Sequence, residues 1–142
     1  MKKVLSLLLA AVMIVSMFAG LQITSTALAT SGKCGVNVSY TFDESTGKLT
    51  ISGIGLMNDY DYWPKNSSPF YNQSDIKTVV INTGVTTIGN CLFQTCSSLT
   101  SGTIPNSVKS IGEGAFAECV NLKSIINSNS ITSIGKQAFC YC

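Results

Sequence analysis

The chain has 142 residues, 45% of them hydrophobic and 11% charged, with nine lysines, seven acidic residues, no arginine and no histidine. That length allows about one domain, or one domain with a small module attached. Outside Lys2 and Lys3 the charges balance, seven against seven. This argues against a nucleic-acid partner, because affinity there comes largely from Lys and Arg neutralising phosphates. Without histidine the chain holds no Ser-His-Asp or Cys-His set and lacks a common zinc ligand.

The hydrophobic share is inflated by the N-terminus. Met1-Lys2-Lys3 is a positive start, Val4 to Ala19 is apolar apart from Ser6 and Ser16, and Ala27-Leu28-Ala29 supplies small residues at the −3 and −1 positions of a cleavage site. The pattern predicts a secretory signal peptide over residues 1–29, cut after Ala29. The apolar run is shorter than the ~20 residues a membrane span needs, so no membrane association is expected after cleavage. Removing 29 of the 142 residues leaves 113, Thr30 to Cys142, outside the cytoplasm.

Residues 30–75 read as a small β module. Val36, Val38, Tyr40 and Phe42 alternate with polar residues, as in a half-buried strand. Asp43-Glu44-Ser45-Thr46-Gly47 is a turn, and Lys48–Ser52 returns with Leu49 and Ile51 inward. Gly53 to Ser74 is expected to be mostly loop. Its Tyr60, Tyr62, Trp63, Phe70 and Tyr71 form an aromatic group that would cap the open edge of the C-terminal half, with ligand binding as the alternative.

Residues 76–142 repeat at a step of 23. Val85, Val108 and Ile131 recur at this interval, as do Ile88, Ile111 and Ile134. Gly89, Gly112 and Gly135 share the step, and so do Phe93, Phe116 and Phe139, then Cys96, Cys119 and Cys142. The unit V-x-x-I-G-x-x-x-[AL]-F-x-x-C-x-x-L falls in the 20–29-residue range of leucine-rich repeats. Each copy can form one short strand and one irregular return, and only stacked copies bury a continuous core. Strands are expected at Thr78–Asn82, Ser101–Pro105 and Ser124–Ser128, with Val79 and Ile81 inward in the first. Gly102 and Asn127 stand where inward aliphatics are expected.

Val85-x-x-Ile88-Gly89, Thr103-Ile104-Pro105-Asn106-Ser107-Val108-x-Ser110-Ile111-Gly112 and Ala115-Phe116-x-x-Cys119 resemble BspA-like leucine-rich repeat proteins, a bacterial cell-surface class. Ser31-Gly32-x-Cys34-Gly35, Gly47-x-Leu49-Thr50-Ile51-Ser52-Gly53-x-Gly55-x-Met57 and Ser68-Pro69-Phe70-Tyr71 resemble the segment before the repeats in such proteins. The resemblance covers residues 31–142. It implies a curved solenoid and extracellular binding or adhesion, with no catalytic residues. The pattern breaks off within the third copy, at Cys142, so a gene fragment or the front of a longer surface protein is expected.

Six cysteines in a secreted chain allow 15 disulfide pairings. Cys96, Cys119 and Cys142 share one repeat column, which favours buried thiols over bridges: neighbouring coils are about 4.8 Å apart, but parallel Cβ vectors suit a disulfide poorly. Cys34, Cys91 and Cys140 break the phase and are freer to pair. Cys140-x-Cys142 has the wrong spacing for a zinc knuckle. Gly53-x-Gly55 lacks the third glycine of a dinucleotide loop, and Asp59-x-Asp61 lacks the glycine and glutamate of an EF-hand. No metal or cofactor is expected.

The expectation is therefore a mostly β protein, a β-hairpin capping module leading into about three coils of a leucine-rich solenoid, that binds partners without catalysis. The expected partner is an extracellular protein or a host or matrix ligand, with a glycan as the alternative. Outward strand positions would form the site: Thr78, Ser101 and Ser124 in one column, Val80, Thr103 and Ile126 in another. Two other roles compete, a structural spacer in a longer surface protein and an accessory module of a polysaccharide-degrading system. Self-association through the open C-terminal edge is also expected.

Overall fold

In the computed structural model the described residues are 27–62, 65–126 and 129–142. The leader up to residue 26, Trp63, Pro64, Asn127 and Ser128 therefore lie outside them, and with them most of the predicted signal peptide and part of the aromatic group.

The described residues form ten strands and no helix: β1 (Ser31–Lys33), β2 (Val38–Asp43), β3 (Lys48–Gly53), β4 (Gly55–Leu56), β5 (Thr78–Ile81), β6 (Val85–Ile88), β7 (Ser101–Thr103), β8 (Ser110–Ile111), β9 (Ser124–Ile126) and β10 (Ser133–Ile134). They make two sheets, six-stranded β1-β2-β3-β5-β7-β9 and four-stranded β10-β8-β6-β4. Strands stand at the expected position in each repeat, the first two ending earlier than anticipated. The second sheet is a departure from expectation. The last two residues of Val-x-x-Ile, placed by its sequence in an irregular return, are extended and pair in parallel from coil to coil. Gly55–Leu56, within the expected loop, joins the same sheet against β6.

The hairpin extends the six-stranded sheet. β2 and β3 pair antiparallel over six residue pairs, and β3 then pairs in parallel with β5. The turn between them makes this possible. Asp43 Oδ1 accepts from the Ser45 amide (3.0 Å) and hydroxyl (2.6 Å), and Oδ2 accepts from the Thr46 hydroxyl (2.8 Å). Gly47 sits at φ 70°, and a Cβ there would lie 2.7 Å from the Asp75 carbonyl oxygen. Only glycine lets the incoming chain come this close. The Gly47 carbonyl accepts from the Lys77 (2.8 Å) and Thr78 (3.2 Å) amides and so starts β5 alongside β3. Val36, expected inward, is 80% exposed, because it precedes β2 in a bend.

Between the sheets lies a core of repeat columns. Phe70, Phe93, Phe116 and Phe139 stack at centroid separations of 5.4, 5.1 and 5.3 Å with interplanar angles of 14°, 19° and 3°. Phe70, expected in the aromatic cap, occupies the repeat position one step before Phe93, and Tyr40 meets it edge-on at 4.8 Å. Gly102 removes one inward side chain, and Ile125 of the next coil fills the gap: a Cβ on Gly102 would lie 2.8 Å from Ile125 Cδ1.

The returns obey the same step. Asn72, Thr95, Glu118 and Tyr141, each 23 apart, have φ of 55°, 58°, 61° and 58°; Cys91, Gly114 and Gln137 have 50°, 59° and 54°. These left-handed residues turn the chain on either side of Phe93, Phe116 and Phe139, and after Phe70. The Gly89–Gly112–Gly135 column sets the approach of coils. A Cβ on Gly112 would lie 2.5 Å from Asn90 Oδ1 and 2.6 Å from the Asn90 nitrogen.

Candidate ligand-binding face

Alternation in the six-stranded sheet sends Leu49, Ile51, Val79 and Ile81 into the core and their neighbours to the opposite face. The parallel registers then align those neighbours. Lys48 pairs with Thr78, Thr78 with Ser101, and Ser101 with Ser124. Thr50 pairs with Val80, Val80 with Thr103, and Thr103 with Ile126. All six residues singled out in the sequence thus fall into the two anticipated columns. Thr103, Ser124 and Ile126 are exposed, and Thr78, Val80 and Ser101 are half-buried.

The face is wider than the repeats alone. The β2–β3 register places Thr41 opposite Thr50 and Asp43 opposite Lys48, and β1 adds Ser31 opposite Thr41. One column therefore reads Thr41, Thr50, Val80, Thr103, Ile126, and every member is β-branched. Such side chains are restricted at χ1, so they lose little freedom when a ligand settles on them. The other column reads Asp43, Lys48, Thr78, Ser101, Ser124. Beside them the Asn82 amide donates to the Ser52 hydroxyl at 2.9 Å. Sequence reasoning missed Thr41 and Thr50. Their alternation with Tyr40, Phe42, Leu49 and Ile51 marks them as outward, but only the parallel pairing of β3 with β5 joins them to the repeat face.

The two columns carry charge at one end only. Asp43 has its carboxyl held below the ordinary carboxylate range by hydrogen bonds from the Ser45 and Thr46 hydroxyls, so it is an anion committed to its own turn. The remainder of the columns offers hydroxyls and methyl groups. Among the described residues, no group of three or more His, Cys, Asp and Glu side chains is placed to hold a metal ion.

The cysteines lie away from this face, and all six are free. Cys96, Cys119 and Cys142 donate their thiol protons to the carbonyls of Phe70 (3.0 Å), Phe93 (3.1 Å) and Phe116 (3.1 Å), each one coil back. Each thus acts as a hydrogen-bond donor between coils; Cys96 and Cys119 are also buried apolar fillers, whereas Cys142, expected to be buried with them, is exposed because no coil covers it in the structure. Burial pushes the Cys34 and Cys119 thiols up to about 12 and the Cys96 thiol well above its ordinary value. Cys34 and Cys91, expected to be freer to pair, are buried without a bridge. Of the aromatic group, Phe70 is fully buried, Tyr60 packs partly against the core, Tyr71 is half-buried and Tyr62 is exposed.

Repeat columns in the core, parallel strands from coil to coil and an uninterrupted outer face have a counterpart among known families. The family described as BspA type leucine rich repeat region (6 copies) matches residues 66–142. The chain belongs to this family. Among solved structures, a leucine-rich repeat protein from Eubacterium ventriosum is 32% identical, with a TM-score of 0.70 over 78% of this chain and 29% of that one. A leucine-rich repeat protein from Bacteroides ovatus is 30% identical, with a TM-score of 0.48 over 75% of this chain and 32% of that one. The BspA-type chain described here therefore spans about a third or less of the length of these two relatives. No curated protein matches it. The family match begins at residue 66, which agrees with Phe70 as the first ring of the ladder.

Proposed function

We propose that this protein is a secreted or cell-surface, non-catalytic binding protein whose outer six-stranded sheet face takes an extracellular protein or matrix ligand. Membership of a leucine-rich repeat family supports a protein-interaction role. The observation that carries the assignment to this face is the alignment of Val80, Thr103 and Ile126 with Thr41 and Thr50 into one rigid column. A ligand meets a surface of side chains already restricted at χ1, and recognises it by shape and hydroxyl hydrogen bonds. Residues 30–75 cap the solenoid of residues 76–142 in this reading, because the hairpin covers the first coil and supplies its share of the face.

The leader predicted from the sequence supports export, and a cut after Ala29 would release the folded part outside the cytoplasm. Among the described residues no helix is long and apolar enough to cross a membrane. The test is binding of the intact secreted protein to immobilised collagen, laminin and fibronectin. A Val80→Lys/Thr103→Lys/Ile126→Lys variant should lose the binding and keep its unfolding midpoint. Binding that survives in a folded triple variant would move the site off this face.

A further inference from the structure

We propose that the flank of the solenoid carries a second ligand site, a pocket for one neutral sugar ring, lined by Tyr60, Asp61, Tyr62, Asn90, Cys91 and Glu113. These residues line an open cleft of about 210 Å³. Drug-sized ligands take about 300 Å³ or more, so the space suits a single ring. The site lies away from the sheet face and stands independently of the function proposed for it.

The pocket is built where the loop after β4 crosses two repeat coils, and that loop is tied down. The Tyr60 amide donates to the Asn90 carbonyl (3.1 Å), the Asn90 amide donates to Asp59 Oδ1 (2.8 Å), and the Asp61 amide donates to the Asn66 carbonyl (3.0 Å). Tyr62 then lies over Gly114. In the left-handed column Cys91–Gly114–Gln137, Gly114 alone has no side chain, and a Cβ there would lie 2.6 Å from the Tyr62 hydroxyl oxygen. The repeat thus omits a side chain where the ring needs room.

The lining combines the Tyr62 phenol ring with donors and acceptors, while the Tyr60 ring turns back toward Cys34, Tyr40 and the core. Asn90 Oδ1 accepts from the Glu113 amide at 2.7 Å, which leaves the Asn90 NH₂ as a donor. Asp61 and Glu113 supply carboxylate acceptors, and both are exposed. Cys91, its thiol raised first by burial and then by the nearby Glu113, Asp61 and Asp59 charges, stays protonated and neutral. A pyranose matches this set: its hydroxyls give and take hydrogen bonds while its C–H face packs on a ring. A simple ammonium ion would use the carboxylates and leave the Asn90 donor unmatched.

The test uses the whole folded protein, titrated with the methyl glycosides of glucose, galactose, mannose and N-acetylglucosamine and read by saturation-transfer NMR and calorimetry. At least one glycoside should bind with a Kd of roughly 1 mM. Tyr62→Ala and Glu113→Gln should each weaken binding about tenfold or more. Gly114→Ala should weaken it by displacing the Tyr62 ring, and the Val80→Lys/Thr103→Lys/Ile126→Lys variant should leave it unchanged. Tyr62 is 41% exposed, so its truncation leaves the fold standing. Absence of binding by all four glycosides, binding that persists in folded Tyr62→Ala, or a preference for Nα-acetyl-lysine amide over every glycoside would overturn the proposal.

Discussion

Truncation of Phe93 tests whether the phenylalanine ladder holds the coils together. Phe93 is fully buried, with Phe70 at 5.4 Å on one side and Phe116 at 5.1 Å on the other. Replacing a buried phenylalanine by alanine costs about 3–5 kcal/mol. Each stacked ring pair adds about 0.5–1.5 kcal/mol beyond burial, so Phe93→Ala belongs at the upper end, about 5 kcal/mol. Phe139 is the same residue at the same repeat position, but it is 36% exposed and stacks on Phe116 alone. Its truncation should cost about 1–2 kcal/mol, since part of the ring is never removed from water and half the stacking is absent. Urea unfolding monitored by near-ultraviolet circular dichroism separates the two. With a slope of about 2 kcal/mol per molar, Phe93→Ala lowers the midpoint by about 2–3 M and Phe139→Ala by less than about 1 M. A loss near 5 kcal/mol can consume most of a domain's stability, so Phe93→Leu, with an expected cost of about 1–2 kcal/mol, serves as the measurable intermediate. Equal losses at positions 93 and 139 would refute the reasoning, because they would make ring identity rather than its two neighbours the source of stability.

The glycine column should be intolerant of a methyl group. Gly112→Ala places Cβ against the Asn90 backbone and is expected to cost about 2–3 kcal/mol in the same urea assay. Thr95→Asn should stabilise the protein by about 0.5–1 kcal/mol, because a β-branched residue at φ 58° is strained and asparagine tolerates that region. Stability should fall as pH rises above about 9. Cys34 and Cys119 keep their protons up to about 12 in the folded state, whereas the unfolded thiols lose theirs near their ordinary value. The unfolded state then binds fewer protons, and each such thiol lowers the unfolding free energy by up to about 1.4 kcal/mol per pH unit. Melting temperatures from pH 8 to pH 11 check this, and a flat profile would contradict it. Binding to the sheet face should change little between about 50 and 500 mM salt, because its two central columns are uncharged beyond Asp43 and Lys48; a steep salt dependence in a matrix-binding assay would place recognition elsewhere.

The long-range order was legible in the sequence and the local geometry was not. Five columns at a step of 23 predicted the stacking, and strict alternation within Thr78–Ile81 predicted which side chains face outward. What escaped was whatever alternation cannot signal. β8 and β10 contain two residues each, too few for a period of two to appear. They are strands because the same dipeptide recurs one coil away and completes the ladder. The left-handed column Asn72–Thr95–Glu118–Tyr141 has no common chemistry, since the coil geometry and not the residue type imposes its φ. Phe70 keeps the 23-residue step, yet Gln73 stands where later copies have cysteine, so the first copy was hidden by its own divergence. Val36 failed in the opposite way. It satisfied the alternation, but Gly35 and Asn37 on either side of it allow a bend, and the strand starts at Val38.

Column position sets what a residue can be, while neighbouring coils set what it is worth. Ile88, Ile111 and Ile134 share one column and one strand register, yet their exposures are 1%, 3% and 58%. The same holds for Phe93, Phe116 and Phe139. In a stacked array each unit contributes little alone, and the interface terms carry the stability. The outer sheet face shares in this arrangement without bearing its cost. Thr103 and Ile126 are held in register by Gly102 and Ile125 behind them, so their own side chains are free to vary. Substitution on that face should alter binding and spare folding, whereas substitution one residue along should do the reverse. Comparing Thr103→Lys with Gly102→Val makes the contrast at adjacent positions. The lysine points away from the core. The valine meets Ile125 Cδ1 at Cβ and should destabilise the sheet by about 1–3 kcal/mol. Equal effects of the two changes on the unfolding midpoint would mean that the face is part of the structural core, and the division of labour between the two sides of the sheet would fail.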